Sequence, residues 1–244
     1  MKVIIYGAGG FMGRELTRLV VDRGHEIAAL VDINGTEDML KSLDDFKGEA
    51  DVIIDFSHHS STKTLIDSAE RLGIPLVLAT TGQTPEENEY IKTHTNKIPL
   101  FFSANMSLGV AMLVKFSREC AKMFPYADIE VVEKHHNRKL DAPSGTALML
   151  ANAMSDERAD AKLVFGRCGQ AKREKGEIGV HALRLGDTVG EHEVIIDLGN
   201  ETLSLKHTAH SRALFASGAL EAAAFIADKK SGLYTMSEMI NQLG

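Results

Sequence analysis

The chain has 244 residues, of which 44% are hydrophobic and 25% charged, a composition typical of a globular protein with a sizeable core. Lys and Arg total 27 against 34 Asp and Glu, and the resulting net charge of −7 argues against broad nucleic-acid binding. Two cysteines exclude a disulfide framework and a four-thiolate zinc site. The first apolar run is too short for a signal peptide or a membrane span, so we expect a cytoplasmic protein.

The first hundred residues alternate between two patterns. Short apolar runs occur at 3–6, 27–31, 52–56, 76–79 and 100–102, and helix-like segments at 12–22, 38–46, 61–72 and 85–93. Apolar strands that alternate with helical periodicity indicate βαβ units. We therefore predict an α/β fold with a Rossmann-type doubly wound parallel sheet, which binds its ligand at the carboxyl ends of the strands.

The pattern changes after residue 126. Longer strands are predicted at 128–133, 178–185, 192–198 and 202–207, and a charged stretch without periodicity at 155–179 predicts a long mobile loop. An Ala-rich helix at 213–227, a turn at 231–232 and a short helix at 236–243 follow, and we expect them to pack on the first domain. We predict a dinucleotide-binding domain, 1–106 with 213–244, and an inserted α+β domain, 107–212.

A glycine-rich turn follows the first strand. Gly7 permits a tight turn, Gly9 lets the backbone approach a pyrophosphate, and the next helix begins with unpaired N–H donors. The third glycine is Gly13, one residue later than in the G-x-G-x-x-G spacing. Asp32 closes the second strand, where a carboxylate accepts hydrogen bonds from an adenosine ribose. These features together predict a nicotinamide dinucleotide site rather than a structural glycine turn.

The residues after Asp32 bear on the choice between NADH and NADPH. Ile33, Asn34 and Gly35 carry no positive charge, and the nearest downstream cation is Lys41. A 2′-phosphate would therefore meet a carboxylate with little compensating charge. We expect NADH to be used at least as well as NADPH.

Three further strand ends reach the predicted cofactor edge of the sheet. They carry the sequences Asp55-Phe56-Ser57, Ala79-Thr80-Thr81-Gly82 and Ser103-Ala104-Asn105-Met106. Thr and Asn side chains there are predicted to orient a nicotinamide carboxamide, and Met106 to pack on its ring. The alternative is that these residues form ordinary turns and helix N-caps.

The segment 133–147 (EKHHNRKLDAPSGTA) concentrates groups suited to proton transfer and anion binding. His135, His136 and Lys139 place two imidazoles and an ammonium within five residues, and such groups donate protons near pH 7. Ser144 is predicted to cap a helix whose first N–H groups, at Gly145 and Thr146, bind an anion. Adjacent histidines on a strand point to opposite faces, so we expect one to donate a proton and the other to contact substrate. The spacing leaves open which does which.

Two alternatives compete with this interpretation of the segment. A metal site lacks acidic or Cys partners at ligand spacing, so we expect no metal. A solvated polar loop would also look like this. His58 and His59 stay unassigned, while Arg184, Lys206 and His207 either add positive potential or are ordinary strand-edge charges.

Several motifs match one enzyme family. They are GAGGFMG at 7–13, ATTG at 79–82, SANMSLGV at 103–110 and the segment 133–147. The last agrees with the pattern E-x-H-H-x-x-K-x-D-A-P-S-G-T-A at every specified position, and 181–194 and 209–220 are also similar. On these residues the chain resembles the 4-hydroxy-tetrahydrodipicolinate (dihydrodipicolinate) reductases of diaminopimelate and lysine biosynthesis.

The resemblance implies a homotetramer that reduces a cyclic unsaturated dicarboxylate with NADH or NADPH. It implies substrate binding and tetramerisation by the domain 107–212, with His135 as proton donor or relay and Lys139 as a second acid. Substrate would be held by His136, Ser144, Gly145 and Thr146. Cofactor would be surrounded by Gly7, Ala8, Gly9, Gly10, Phe11, Met12, Asp32, Ala79, Thr80, Thr81, Ser103, Ala104, Asn105 and Met106.

Two residues depart from the family pattern. Ala79 stands where many members have Gly, and the basic residue that often follows the ribose-binding acid is missing after Asp32. The second departure argues against a preference for NADPH.

Two other functions remain as alternatives. An aspartate or homoserine dehydrogenase would have a similar build but no HH-x-x-K segment. A regulator that binds NAD(H) without catalysis would not need proton donors beside an anion-binding helix end. For catalysis, the basic segment must face the nicotinamide, so we expect the two domains to close around their ligands.

Overall fold

The computed structural model describes residues 1–242 and divides them into two compact units. Unit 1 contains Met1–Leu108 and the described residues from Arg212 onward. Unit 2 contains Gly109–Ser211.

Unit 1 is built on a parallel sheet of six strands. In sheet order the strands are β2 (Glu26–Val31), β1 (Lys2–Tyr6), β3 (Val52–Asp55), β4 (Leu76–Leu78), β5 (Pro99–Phe102) and β11 (Gly232–Tyr234). Consecutive residues Val3, Ile4 and Ile5 are fully buried, because helices cover both faces of the sheet. The carboxyl ends of the parallel strands therefore meet at one edge.

Five helices accompany this sheet: α1 (Phe11–Asp22), α2 (Thr62–Leu72), α3 (Pro85–Thr93), α6 (Ala213–Ile226) and α7 (Met236–Gln242). Helices α1 and α6 contact each other, as do α2 and α3. Local sequence sets the ends, since α3 begins with a capping box between Thr84 and Glu87 and α2 ends at Gly73 with a φ of +67°. Among the described helices, none is long and apolar enough to cross a membrane.

Unit 2 contains a mixed sheet of five strands and two helices. In sheet order the strands are β10 (Thr202–Ala209), β9 (Gly190–Asp197), β6 (Asp128–His135), β8 (Glu177–Arg184) and β7 (Lys162–Phe165). Strand β6 runs parallel to β8 and antiparallel to β9. The helices are α4 (Leu108–Met123), which leads in from unit 1, and α5 (Gly145–Ser155).

Side chains of β6 alternate between two faces of this sheet. Ile129 and Val131 join one apolar core with residues of α4 and α5, such as Leu113 and Leu150. Glu133 and His135 continue the same alternation, so they belong to the helix-covered face. The opposite face carries Glu130, Val132 and Lys134.

The predicted fold class is confirmed, and three local predictions are wrong. The segment 38–46 is not a helix, because Leu40 bridges to Val31 and only Leu43–Asp45 forms a short 3₁₀ turn. The expected loop 155–179 contains β7, and the turn expected at 231–232 begins β11. In both cases a three- or four-residue strand gains its stability from pairing with a distant neighbour, which no local pattern reveals. Leu243 of the predicted last helix lies outside the described residues.

Candidate active site

The glycine loop between β1 and α1 is closely packed against its surroundings. Gly7 has a φ of +81°, and a Cβ there would lie 2.6 Å from the carbonyl oxygen of Phe56. A Cβ at Gly13 would lie 2.2 Å from the carbonyl oxygen of Gly7. The displaced third glycine thus allows α1 to approach the loop, which is the role of the third glycine in dinucleotide folds.

Asp32 holds the loop from the end of β2. Its Oδ2 accepts a hydrogen bond from the Gly9 N–H at 2.9 Å, and its Oδ1 accepts one from the Asn34 N–H at 2.9 Å. An ionised carboxylate has about four acceptor positions, so acceptor capacity remains for a ribose hydroxyl. Asp32 borders a pocket of about 220 Å³, which Gly7, Gly10, Ser57 and His58 also line.

The residues of unit 1 fit the adenosine end of a dinucleotide. Three features of a nucleotide site occur together, namely an approachable backbone turn, a carboxylate with spare acceptor capacity and an adjacent pocket. Among the remaining loop residues, Ala8 is buried and Gly10 immediately precedes α1. Phe11, which is 55% exposed, is the first residue of that helix, and Met12 is the second. Their cofactor contacts stay predictions.

Asp55 connects two of the predicted strand ends. The N–H and hydroxyl of Ser57 donate to Asp55 at 2.9 and 2.6 Å, and the same N–H donates to the Thr80 hydroxyl at 2.8 Å. Burial raises the pKa of Asp55 to about 6, although the hydrogen bonds from Ser57 and Thr80 act to lower it. Thr80 and Ala79 are buried, whereas Thr81 is exposed at this edge.

The turn after β5 is held by its own side chains. The Ser103 hydroxyl donates to the Asn105 carbonyl at 2.8 Å, and the Asn105 side chain accepts from the Ser107 N–H at 2.9 Å. Ala104 is exposed there. Met106 is 2% exposed, and its carbonyl lies where a Cβ at Gly218 would be. Packing of the Met106 side chain on a nicotinamide ring stays a prediction.

In unit 2, a buried glutamate orients His135. Glu133 and His135 are two residues apart on β6, so their side chains share the helix-covered face. Nδ1 of His135 lies 2.5 Å from Oε2 of Glu133. Two N–H groups of Arg184, at the end of β8, donate to the two oxygens of the same carboxylate at 2.8 Å each.

The charge on Glu133 is strongly stabilised. The side chain is fully buried, and burial acts to raise its pKa. Hydrogen bonds from His135, Arg184 and the Ser144 N–H outweigh that effect and lower the pKa to about 2. Glu133 is therefore ionised at neutral pH, with compensating positive charge beside it.

Ser144 caps α5, as predicted, and its polar atoms are hydrogen-bonded within unit 2. Its hydroxyl accepts from the Ala147 N–H at 3.3 Å and lies 3.1 Å from Nε2 of His192, and its own N–H donates to Glu133 at 3.0 Å. The residue is 2% exposed. These contacts hold the interior of unit 2 together, and substrate binding by Ser144 stays a prediction.

His192 is a buried neutral histidine beside the site. Burial, together with the nearby His135, lowers the pKa of His192 to about 4. The two rings meet edge to face, with their centroids 5.2 Å apart. Nδ1 of His192 is buried without a hydrogen-bond partner, which also favours the uncharged ring.

The other predicted residues of the segment lie in a turn between β6 and α5. The Lys139 N–H donates to the His136 carbonyl at 3.1 Å, and its ammonium pairs with Asp141 at 2.7 Å. A Cβ at Gly145 would meet nothing within 4 Å, so the start of α5 is open at this residue. Thr146 is half-buried in the first turn of α5.

The basic residues that the sequence left ambiguous have different roles. Arg184 belongs to the site, whereas Lys206 pairs with Glu191 at 3.1 Å on the opposite sheet face, and His207 lies opposite His192 in the β9–β10 pairing. Of the histidine pair in unit 1, His58 lines the pocket and His59 pairs with Glu87. Within residues 1–242, no three His, Cys, Asp or Glu side chains are grouped to hold a metal ion.

The sequence indicated no role for Glu133 or His192 and left the role of Arg184 open. The spacing of Glu133 and His135 on a predicted strand already places both on one face, and this signal could have indicated the pair. Arg184 and His192 come from other strands, so only the pairing of β6 with β8 and β9 brings them to His135.

Comparison with known proteins gives a consistent result over the whole chain. Two family models match, "Dihydrodipicolinate reductase, N-terminus" over residues 1–106 and "Dihydrodipicolinate reductase, C-terminus" over residues 109–240. The curated 4-hydroxy-tetrahydrodipicolinate reductases of Caldanaerobacter subterraneus subsp. tengcongensis and Clostridium tetani are both 42% identical over 248 residues. Each alignment covers 99% of this chain, and 99% and 97% of the two relatives.

A solved structure shows the same fold. The dipicolinate-bound dihydrodipicolinate reductase from Paenisporosarcina sp. TG-14 matches with a TM-score of 0.76 and 22% identity, over 96% of this chain and 97% of that one. The predicted resemblance is thereby confirmed. The chain belongs to the dihydrodipicolinate reductase family, whose members are nicotinamide-dependent oxidoreductases of diaminopimelate and lysine biosynthesis.

Proposed function

We propose that this chain reduces 4-hydroxy-tetrahydrodipicolinate to tetrahydrodipicolinate. The 4-hydroxyl group leaves as water to give a conjugated C=N–C=C system, which then takes hydride from NADH or NADPH and a proton from the chain's own His and Lys side chains. The observation that carries the proposal is the His135–Glu133 pair at the end of β6, in the same segment as Lys139 and the start of α5. Unit 1 binds the dinucleotide and unit 2 binds the substrate. The cytoplasmic location stays a prediction.

The residues of unit 2 suit a dicarboxylate that must be protonated. Lys139 and the start of α5 at Gly145 and Thr146 supply positive charge and N–H donors for carboxylates, with His136 as a further contact. When bound, the nicotinamide supplies the hydride. A conjugated C=N–C=C system that has accepted hydride holds electron density on carbon or nitrogen. His135 protonates that atom, with Lys139 as the second acid.

The turn after Asp32 governs the choice of cofactor. Ile33 and Asn34 carry no charge, but the Lys41 ammonium donates to the Gly35 carbonyl and so lies against this turn. We infer that NADH is used at least as well as NADPH and that Lys41 supports the 2′-phosphate of NADPH. An exposed ion pair contributes about 0.2–1 kcal/mol, so Lys41→Gln should raise KM for NADPH about two- to fivefold and leave KM for NADH unchanged.

The uncovered face of the unit 2 sheet suits the proposed homotetramer. Both helices of the unit pack on the other face. The uncovered face carries the exposed Leu183 and the half-buried Val132 and Ile195, beside ion pairs such as Lys134 with Glu191. Sedimentation velocity should give the mass of four chains, and a monomer at micromolar concentration would contradict this assembly.

A coupled assay with the preceding synthase of the pathway tests the reaction. The purified protein should oxidise NADH only when that synthase supplies the intermediate. Lys139→Ala should lower kcat about 100-fold or more, because a positioned acid contributes about two to four powers of ten, and should leave KM for NADH within about twofold. Lys122→Ala, an exposed lysine of the same unit, is the matched control.

Two results would contradict the proposal. Loss of NADH affinity in Lys139→Ala with normal turnover of the bound complex would show that the role of Lys139 is misassigned. Tight NADH binding by the wild-type chain without any oxidation would favour a regulator instead.

A further inference from the structure

We propose that Glu133 is a positioning residue that fixes His135 in the Nδ1–H form and, with Arg184, confines the transferable proton to Nε2. The inference rests on the proposed function, since it gives His135 a defined donor atom. It adds Glu133 and Arg184 to the residues on which proton transfer depends.

The Glu133 carboxylate is saturated with hydrogen-bond donors. Its Oε1 accepts from the Ser144 N–H at 3.0 Å and from Arg184 at 2.8 Å. Its Oε2 accepts from Arg184 at 2.8 Å and faces His135 Nδ1 at 2.5 Å. A carboxylate has about four acceptor positions, and four donors occupy them here. Glu133 therefore has no position left for a proton of its own.

The contact with Glu133 fixes the tautomer of His135. An ionised carboxylate only accepts hydrogen bonds, so the contact of 2.5 Å places a proton on Nδ1. In the neutral ring Nε2 then carries a lone pair, and in the imidazolium Nε2 carries the proton that can leave. When His135 acts, the Nε2–H bond breaks and a new bond to hydrogen forms on the hydride-reduced substrate. The Nδ1 proton stays against Glu133.

The Nε2 atom of His135 lies beside a glycine. A Cβ at residue 190 would lie 3.1 Å from Nε2 of His135, so Gly190 of β9 keeps a side chain away from the donor atom. His192, two residues along β9, meets the His135 ring with its own ring and is neutral. His192 therefore places no second positive charge against the protonated His135 ring.

Ionisable groups from four elements surround this pair. On β8 lies Arg184, on β9 lies His192, on β10 lies His207, and in the turn before α5 lie Lys139 and Asp141, which pair with each other. Glu133 is the anion in direct contact with the imidazole. Loss of this anion should therefore weaken the imidazolium, and activity should fall off at lower pH than in the wild type.

Glu133→Gln tests the inference in the full-length enzyme. In this variant the amide oxygen would accept hydrogen bonds from Ser144 and Arg184, so the NH₂ group would face Nδ1 of His135. A donor at that position disfavours a proton on Nδ1. We expect kcat to fall about 100-fold or more, the size of a general-acid contribution, with KM for NADH within about twofold. The high-pH limb of the kcat profile should move to lower pH. Glu133→Asp should recover part of kcat, and Glu119→Gln, an exposed carboxylate of the same unit, should match the wild type.

A measurement on the wild-type protein keeps the inference testable if the variant does not fold. Ring ¹⁵N chemical shifts of His135, assigned by their loss in His135→Asn, should show Nδ1 protonated in the neutral ring. A neutral Nε2–H ring, or a Glu133→Gln enzyme with kcat within threefold of the wild type, would overturn the inference. Absence of substrate-dependent NADH oxidation by the wild type would instead refute the proposed function, and the ring tautomer would still be measured.

Discussion

Each unit buries a carboxylate near a strand end, and the two have opposite charge behaviour. Asp55 in unit 1 is 1% exposed and Glu133 in unit 2 is fully buried. Asp55 accepts from the neutral N–H and hydroxyl of Ser57, and its pKa is raised to about 6. Glu133 accepts from Arg184 and His135, and its pKa is lowered to about 2.

The comparison shows that burial alone does not decide the charge of a buried acid. Desolvation raises the pKa of both groups, but hydrogen bonds from Arg184, His135 and the Ser144 N–H outweigh it at Glu133, whereas those from Ser57 and Thr80 do not outweigh it at Asp55. A permanent anion suits the proposed role of Glu133 beside a proton donor. Asp55 shapes the turn that follows β3, a role that neutral donors can support.

Of the single substitutions at these two sites, Arg184→Gln should change the free energy of unfolding most. Arg184→Gln leaves the Glu133 charge buried with less compensation, and breaking a buried ion pair costs about 3–5 kcal/mol. We expect the free energy of unfolding at pH 7, from urea titration at fixed protein concentration, to fall by about that amount. The double variant Glu133→Gln/Arg184→Gln should lose less than the single one. If the free energy of unfolding of Arg184→Gln lay within about 1 kcal/mol of the wild-type value, Arg184 would not be compensating the buried charge of Glu133.

The pH dependence of that pair has a defined sign. The folded pKa of Glu133 lies below its ordinary value of 4.5, so its ionisation stabilises the fold above pH 4.5, and this contribution is lost as pH falls toward 2. Arg184→Gln should reduce this loss of stability in acid.

Asp55→Asn should raise the free energy of unfolding at pH 7, whereas Arg184→Gln should lower it. The folded pKa of Asp55 lies above 3.8, so its contribution to stability is complete below pH 3.8 and is lost as pH rises through about 6. An amide resembles the neutral acid and removes this loss, which amounts to at most about 3 kcal/mol for a shift of about two pH units. Urea titrations at pH 4 and pH 7 should differ less in the variant than in the wild type. An unchanged difference would contradict the raised pKa.

Alanine substitutions at two similarly crowded glycines should have the smallest effects. A Cβ at Gly190 would lie 3.1 Å from His135 Nε2, and one at Gly48 in unit 1 would lie 3.1 Å from the Phe46 ring. Gly190→Ala should lower kcat about tenfold, the equivalent of about 1.4 kcal/mol, by obstructing the donor nitrogen. Gly48→Ala should leave kcat unchanged, because its neighbour is a structural ring. Equal effects of the two variants on kcat would show that general crowding, rather than access to Nε2, is responsible.

Prediction from sequence succeeded where local pattern and topology agree. The apolar runs of unit 1 became parallel strands, and Ser144 caps α5 as its position suggests. It failed where a distant partner decides, as for β7, β11 and the segment around Leu40. The same limit applies to side chains, because the sequence left the role of Arg184 open and only the pairing of β6 with β8 brings it to Glu133.

By itself the sequence determined the two-part architecture, the glycine loop with Asp32, and the segment that carries His135 and Lys139, since these depend on periodicity and on residues close together along the chain. Only the tertiary structure decided that Arg184 neutralises Glu133, that His192 stays uncharged beside His135, and that Gly190 leaves room at Nε2. The physical reason is that hydrogen-bond saturation and desolvation depend on neighbours across strands, which sequence separation conceals.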